Sequence, residues 1–450
     1  MNRTVKACTY SILMPFGERF LAYNGLTNSL GLMDRATHQF YSEICDRKVS
    51  ELPPALDQST RERTEALRAG MFMVDSDFDE LAYIKSVSRS RRYGNTVLSL
   101  TILPTLNCNF ACSYCFEGRR PSRSAISDAT ISAILSMVQS QAKQRQPVSV
   151  VWFGGEPLLE ADACFEMDES IRSTCESGSS TYRSSMVTNG YLLATVDMAR
   201  LASSSIRSVQ VTLDGDRETH DSRRFLHDGS QTFDTILAGI QSVLRHTRIK
   251  VSLRVNIDRT NVGNIDSLLA CLTEAGLLKQ ERISLHFAPV SATTSTGECS
   301  LHAASCFAPR EYSGIQVDLY RKLVEYGMKL VPYPNGGFVN CGAIVPTSLV
   351  VLPDGEIHKC WETVGSEDES CGNISDLRSM RVHPNYLKWT AFDPFDREDC
   401  LKCSILPVCM GGCPRQAMES GGRDTLDVCP PWRFNVEEMI GLFALVKTAP

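Results

Sequence analysis

No apolar run in this chain approaches the ~18 residues that a bilayer-spanning helix needs, which excludes an integral membrane protein of the helical kind. Nor is there an excess of one charge. The chain has 46 Lys and Arg against 52 Asp and Glu, a net charge of −6, which argues against a general nucleic-acid binder. Two basic runs, at 88–92 and 118–123, read as solvated loops. The N-terminus has early basic residues and a short apolar run but no small-residue cleavage site, so it is not read as a signal peptide and a cytoplasmic location is expected. No internal repeat or low-complexity tract appears. What the chain has in quantity is cysteine, 18 in 450 residues. Without an export signal, metal binding or catalysis explains them better than disulfides.

The length predicts two or three domains. Between 97 and 290 the pattern alternates strand and helix. Apolar, β-branched runs stand at LSLTIL, VSVVWF, SSMVTNG, VQVTLDG, KVSLRVNI and ISLHFAPV. Between them, Ile131, Ile134, Leu135 and Val138 share one helix face, as do Phe233, Ile236, Leu237 and Ile240. This alternation implies parallel strands with right-handed crossovers, and six repeats fit a partial (β/α)6 barrel. Chemistry in such barrels collects at the C-terminal ends of the strands. Residues 1–95 read as a small α+β unit of strands and two helices, broken by Pro53-Pro54 and ending in a polar linker at 86–95. A closing helix is expected at 310–330. The remainder, rich in Gly, Pro and Cys, has little periodicity and is expected to fold around metal.

Three cysteines, Cys108, Cys112 and Cys115, lie within CNFACSYCFE after the first strand. A closed structural zinc site takes four protein ligands; thiolates also hold iron–sulfur clusters. Three thiols on a four-iron cluster leave one iron open to a chelating amine and carboxylate, such as the amino-acid end of S-adenosylmethionine. GGEP, Gly154 to Pro157, follows the second strand; its glycines allow close backbone approach and Glu156 can pair with an ammonium group. The C-x3-C-x-aromatic-C pattern, with Tyr114 as the aromatic, resembles that of the radical S-adenosylmethionine superfamily. The resemblance implies a partial (β/α)6 barrel and a cluster on Cys108, Cys112 and Cys115. It places Gly154, Gly155, Glu156 and Pro157 at the methionine amine, and Asn189, Thr212 and Arg254 at ribose and carboxylate. It also implies reductive cleavage of the cofactor to a 5′-deoxyadenosyl radical that removes a hydrogen from an unactivated C–H bond, the protein binding and orienting the reactants.

Further on, Cys341, Gly355-x4-Cys360, Cys400-x2-Cys403-x5-Cys409-x3-Cys413 and Cys429 follow in order. A zinc ribbon is one reading of part of this array. The whole order is similar to the SPASM extension of radical enzymes. That similarity implies two auxiliary clusters, making three 4Fe-4S clusters in all. One set would be Cys400, Cys403, Cys409 and Cys429. The other would be Cys341, Cys360 and Cys413, with Cys371, Cys306 or an open position as its fourth corner. The domains are then 1–95, 96–330 and 331–450.

Relatives with this extension mostly modify peptides and proteins. The sulfatase-maturing branch has an Asp directly after the G-x4-C cysteine, where this chain has Trp361. The N-terminal unit is similar to the winged-helix domain with which peptide maturases capture a leader by strand addition. The resemblance therefore implies a maturase that forms a carbon–carbon or thioether cross-link in a ribosomally made precursor. Its partners would be a leader-bearing peptide and an external flavodoxin- or ferredoxin-type reductant, with no nucleic acid or membrane. The alternatives are sulfatase maturation, small-molecule dehydrogenation or, outside enzymes, a metal-binding or electron-transfer protein.

Overall fold

The computed structural model describes residues 4–47, 50–52, 57–115, 125–290, 304–328, 331–420 and 428–448. Pro53-Pro54, the basic run at 118–123 and Cys299 lie outside them. The N-terminal unit comprises β1 (Thr4–Ala7), β2 (Ser11–Phe16), β3 (Arg19–Asn24), β4 (Ser29–Met33), α1 (Arg35–Asp46), β5 (Ser50–Glu51), α2 (Gln58–Ala69), β6 (Met73–Asp75) and α3 (Glu80–Tyr93). Two three-stranded antiparallel sheets result, in orders β5-β1-β6 and β2-β3-β4. Asp34, Asp57 and Asp79 cap the three helices, each accepting a backbone N–H from the first turn.

The stretch expected as a linker at 86–95 is mostly the second half of α3. The run at 88–92 is accordingly not a solvated loop. Arg92 is buried, and its guanidinium donates to the carbonyls of Ile344 at 2.9 Å and Thr390 at 2.7 Å. Those partners are some 250 residues or more away in sequence, so no local pattern announces them.

The central region runs β7 (Leu98–Ile102), α4 (Asp128–Lys143), β8 (Val148–Trp152), α5 (Ala161–Ser177), β9 (Tyr182–Thr188), α6 (Met198–Ser203), β10 (Ile206–Thr212), α7 (Arg217–Arg223), α8 (Phe233–His246), β11 (Lys250–Ile257), α9 (Ile265–Glu274), β12 (Ile283–Pro289) and α10 (Pro309–Glu325). Strands β7 to β12 pair in sequence order and all parallel, as the six repeats predict. Their burial alternates. Leu98, Leu100, Ile102, Val148, Val150 and their counterparts pack with Ile134, Val138, Ile236 and Ile240 of the helices. The opposite faces carry Ser99, Thr101, Ser252, Arg254 and His286 and form the polar inside of the open barrel.

The C-terminal region contributes β13 (Ser348–Val351), β14 (Ile357–His358), α11 (Leu377–Val382), α12 (Pro384–Ala391), α13 (Glu398–Leu401), α14 (Leu406–Cys409), α15 (Pro414–Glu419) and α16 (Trp432–Thr448). It is not an appended lobe. Strand β13 pairs parallel to β7, extending the sheet to eight strands ending in β14. The N-terminal unit packs on the same region: Ile12, Met14 and Tyr23 meet Cys403, Ile405, Val436 and Ile440. Among the described residues no helix is long and apolar enough to cross a membrane.

Removing the Arg92 guanidinium takes the donor from the Ile344 carbonyl and leaves the Thr390 carbonyl with the Tyr93 hydroxyl at 3.1 Å. Arg92→Ala should cost about 2 kcal/mol, read as a lower urea midpoint, with faster amide exchange around residue 344.

Candidate active site

The loop leaving β7 carries the three cysteines, and the turn leaving β8 is pressed against it. Gly155 donates to the Thr105 carbonyl at 3.2 Å and Glu156 to that of Asn107 at 2.8 Å. A Cβ on Gly154 or Gly155 would strike those same carbonyls, and Gly154 has φ +117°. Only glycine fits there. The Glu156 carboxylate, fully buried, accepts from Leu158 N–H at 3.0 Å, Thr188 Oγ1 at 2.8 Å and Asn189 N–H at 2.7 Å. It thereby ties the β9 end to the β8 turn. Asn189 in turn donates through Nδ2 to Asn109 Oδ1 at 2.7 Å and lies 3.8 Å from the Cys108 sulfur.

Thr212 ends β10 directly opposite Arg254 of β11. Arg254 Nε donates to Asn256 Oδ1 at 2.7 Å, and Asn256 Nδ2 to the Tyr114 hydroxyl at 3.0 Å. That hydroxyl also bonds the Asp214 carboxylate and receives Arg224 Nη1 at 2.8 Å. Cys108, Cys112, Cys115, Tyr114, the GGEP turn, Asn189, Thr212 and Arg254 thus gather around the C-terminal ends of five adjacent strands.

Sequence reasoning missed the clasp that holds this loop from outside. Residues 223–227 run beside it: Ala111 N–H donates to Phe225 O at 2.8 Å, Ser113 N–H to Arg223 O at 3.2 Å, and Phe110 bridges Leu226. His227 Nε2 lies 2.9 Å from the Cys108 carbonyl. Arg223 sits over the Tyr114 ring and Arg224 over Phe110, at 4.9 and 5.6 Å. Both arginines are buried. Arg223 Nη1 binds Asp258 at 3.0 Å, yet Arg223 Nε and Nη2 and Arg224 Nε make no hydrogen bond among the described residues. The signal was present as the consecutive pair Arg223-Arg224. His220, by contrast, is a packed residue that accepts from Asp214 N–H at 3.2 Å and reaches Thr232. His286 lines the barrel beside Ser252; burial, with Arg254 nearby, lowers it to about 4.

Two more sets of thiols lie in the C-terminal region. Cys400, Cys403, Cys409 and Cys429 line a cavity of about 340 Å³ together with Arg397 and Arg433. Arg433 Nη1 is 3.1 Å from the Cys403 sulfur. Cys341, Cys360 and Cys413 lie within one another's electrostatic reach. Among the described residues no three His, Cys, Asp or Glu side chains converge tightly enough for a single metal ion. Burial raises the Cys108 and Cys409 thiols to about 12, so a metal group entering these sites must displace protons.

Burial, opposed by its three hydrogen bonds, raises the Glu156 carboxyl from 4.5 to about 6. A folded value above the unfolded one favours folding most below pH 4.5. On the order of 2 kcal/mol is lost as pH rises through 6. Chemical unfolding of the metal-free protein from pH 4 to 7 should show this slope, and Glu156→Gln should flatten it.

Residues 102–269 match the Radical SAM superfamily. The serine-type anaerobic sulfatase-maturating enzyme of Klebsiella aerogenes is 21% identical over 333 residues, 70% of this chain and 78% of the relative. Among solved structures, native anSMEcpe with bound AdoMet and Kp18Cys peptide superposes with a TM-score of 0.57 at 19% identity, covering 77% of this chain and 96% of its own. Streptococcus suis SuiB bound to precursor peptide SuiA gives 0.53 at 15% identity, covering 94% and 99%. The family implies S-adenosylmethionine and a 4Fe-4S cluster. The residues here fit that pair: one loop carries three thiols, the Gly154-Gly155 turn admits close approach, and the buried guanidinium N–H groups of Arg223 and Arg224 near Cys112 suit an anionic group. Residues 102–269, which carry Cys108, Cys112 and Cys115 on the loop leaving β7, form a radical SAM domain.

Proposed function

We propose that this chain is a peptide maturase that installs a carbon–carbon or thioether cross-link in a ribosomally made precursor. When bound, the Cys108–Cys112–Cys115 cluster and S-adenosylmethionine supply a radical able to take hydrogen from an unactivated carbon. The chain's own residues do the rest. Glycines 154 and 155 set the approach of the cofactor. Asn189 and Thr212, at the C-terminal ends of β9 and β10, and Arg254, opposite Thr212 within β11, present polar groups on three consecutive strands. The Tyr114–Asp214–Asn256 network fixes the loop that carries the thiols. Two auxiliary clusters, on Cys400, Cys403, Cys409 and Cys429 and on Cys341, Cys360 and Cys413, would provide a place for the remaining electron. An external flavodoxin- or ferredoxin-type protein would supply the reducing one.

The observation that carries the peptide reading is the sheet β2-β3-β4. Strand β4 lies at its end, paired among the described residues only to β3; Leu32 there is 45% exposed and nothing among them lies within 4 Å of a Cβ built on Gly31. An uncovered edge of this kind takes up an extended peptide as a further strand. The wider coverage by the peptide-bound SuiB structure, 94% of this chain against 77% for anSMEcpe, supports the same reading. Sulfatase maturation is the second reading, favoured by the length of the Klebsiella match. Against it, the residue after Cys360 is Trp361, 44% exposed and stacked on Phe153 at 5.4 Å, where that branch has a carboxylate.

Co-expression with a short reading frame beside the gene should give a peptide lighter by two hydrogens. An unchanged peptide from enzyme that still forms 5′-deoxyadenosine refutes the maturase reading, and formylglycine in a sulfatase peptide establishes the second. Leu32→Asp should weaken binding of the precursor about tenfold, roughly 1.4 kcal/mol, without changing peptide-independent formation of 5′-deoxyadenosine.

A further inference from the structure

Cys341, Cys360 and Cys413 are three thiols without an evident fourth. The two cysteines that the sequence offers for that corner are directed elsewhere. Cys371 is fully buried in the main apolar core with Ile357, Ile374 and Met380, and its sulfur lies 3.9 Å from the Glu369 carbonyl. Cys306 precedes α10 and adjoins Ser305, which accepts from Arg259 just past β11. That is the opposite end of the sheet from β14, which leads into Cys360.

A carboxylate lies close enough to act on all three thiols. Glu362 lies two residues beyond Cys360 and donates its backbone N–H to that sulfur. Arg415 lies two residues beyond Cys413, whose sulfur accepts backbone N–H bonds from Gln416 and Arg415 at the start of α15. The two side chains meet: Arg415 Nε and Nη2 reach Glu362 Oε2 at 3.1 and 2.9 Å. Arg415 is itself buried and braced by Glu419 at 3.0 Å. The ion pair therefore closes a ring, from Cys360 through Glu362 and Arg415 to Cys413, and hangs the carboxylate between the turns that bear the thiols. Its charge acts on Cys341 as well as on the other two.

We propose that Glu362, held by Arg415, is the fourth protein ligand of an iron–sulfur cluster on Cys341, Cys360 and Cys413. This rests on the auxiliary-cluster reading above. An oxygen ligand is harder than thiolate, but with Arg415 holding the carboxylate in place this corner is closed to an added ligand.

The test uses the full chain, reconstituted anaerobically with iron and sulfide, saturated with S-adenosylmethionine and reduced with dithionite. Its EPR spectrum is recorded with and without cyanide. The wild type should show no cyanide-dependent signal, whereas Glu362→Ala should gain one at unchanged iron content. Glu362→Gln keeps the size and a hydrogen bond to Arg415, and should respond as alanine does even if the alanine variant folds poorly. A cyanide-shifted signal in the wild type, or none in either variant, overturns the proposal. Replacing Cys341, Cys360 and Cys413 by alanine should remove about a third of the iron. Unchanged iron there refutes the cluster itself, a failure distinct from that of its fourth ligand.

Discussion

A backbone contact sets the rest of the site: Gly154 and Gly155 lie against the carbonyls of Thr105 and Asn107 with no room for a side chain. It fixes the turn after β8 to the segment just before Cys108, so the thiol loop cannot shift without the turn. Glu156 carries the constraint onward to β9, because its oxygens hold Thr188 and Asn189. Asn189 returns it to the thiol loop through Asn109. The circuit is closed by a carboxylate whose hydrogen-bond partners are amides and a hydroxyl rather than a cation.

The opposite side of the loop is held by charge. Burying Arg223 and Arg224 is costly unless both are paired. Asp214, Asp258 and two aromatic rings meet only part of that demand. Cys112, Tyr114 and Asp214 nonetheless keep Arg224 charged against the effect of burial. Positive charge is thus stored beside the thiols. The C-terminal thiols show the same pairing of sulfur with guanidinium, through Arg433 at Cys403 and Arg397 on the cavity wall.

The barrel was legible because its strands repeat a two-residue alternation over apolar helices at a 3.6-residue period, and both signals are local. The three-thiol loop was legible from spacing alone. Helix α3 was not, because Lys85 to Arg92 is almost wholly polar in sequence; Arg89 to Arg91 stay exposed, and Arg92 goes inside through the carbonyls of distant loops. The clasp at 223–227 was hidden for the same reason: consecutive arginines read as exposed until a ladder to Ala111 and Ser113 places them inside. Spacing identified Cys371 as a possible partner of Cys341 and Cys360 but carried no direction, and its pairing with Ile357 turns it into the core. Glu156 was read for an ammonium partner; two of its three neutral donors, Thr188 Oγ1 and Asn189 N–H, come from the end of β9, more than thirty residues on.

Strand β13 joins β7 by a full ladder, Ser348 opposite Ser99 through Val351 opposite Ile102. The cysteines near 108 and those near 341 and 360 are consequently mounted on neighbouring ribs of one stiff frame. A continuous backbone ladder lies between them, so their separation follows from the pairing of β7 with β13. Whatever spans it must fit a fixed gauge set by hydrogen-bond register.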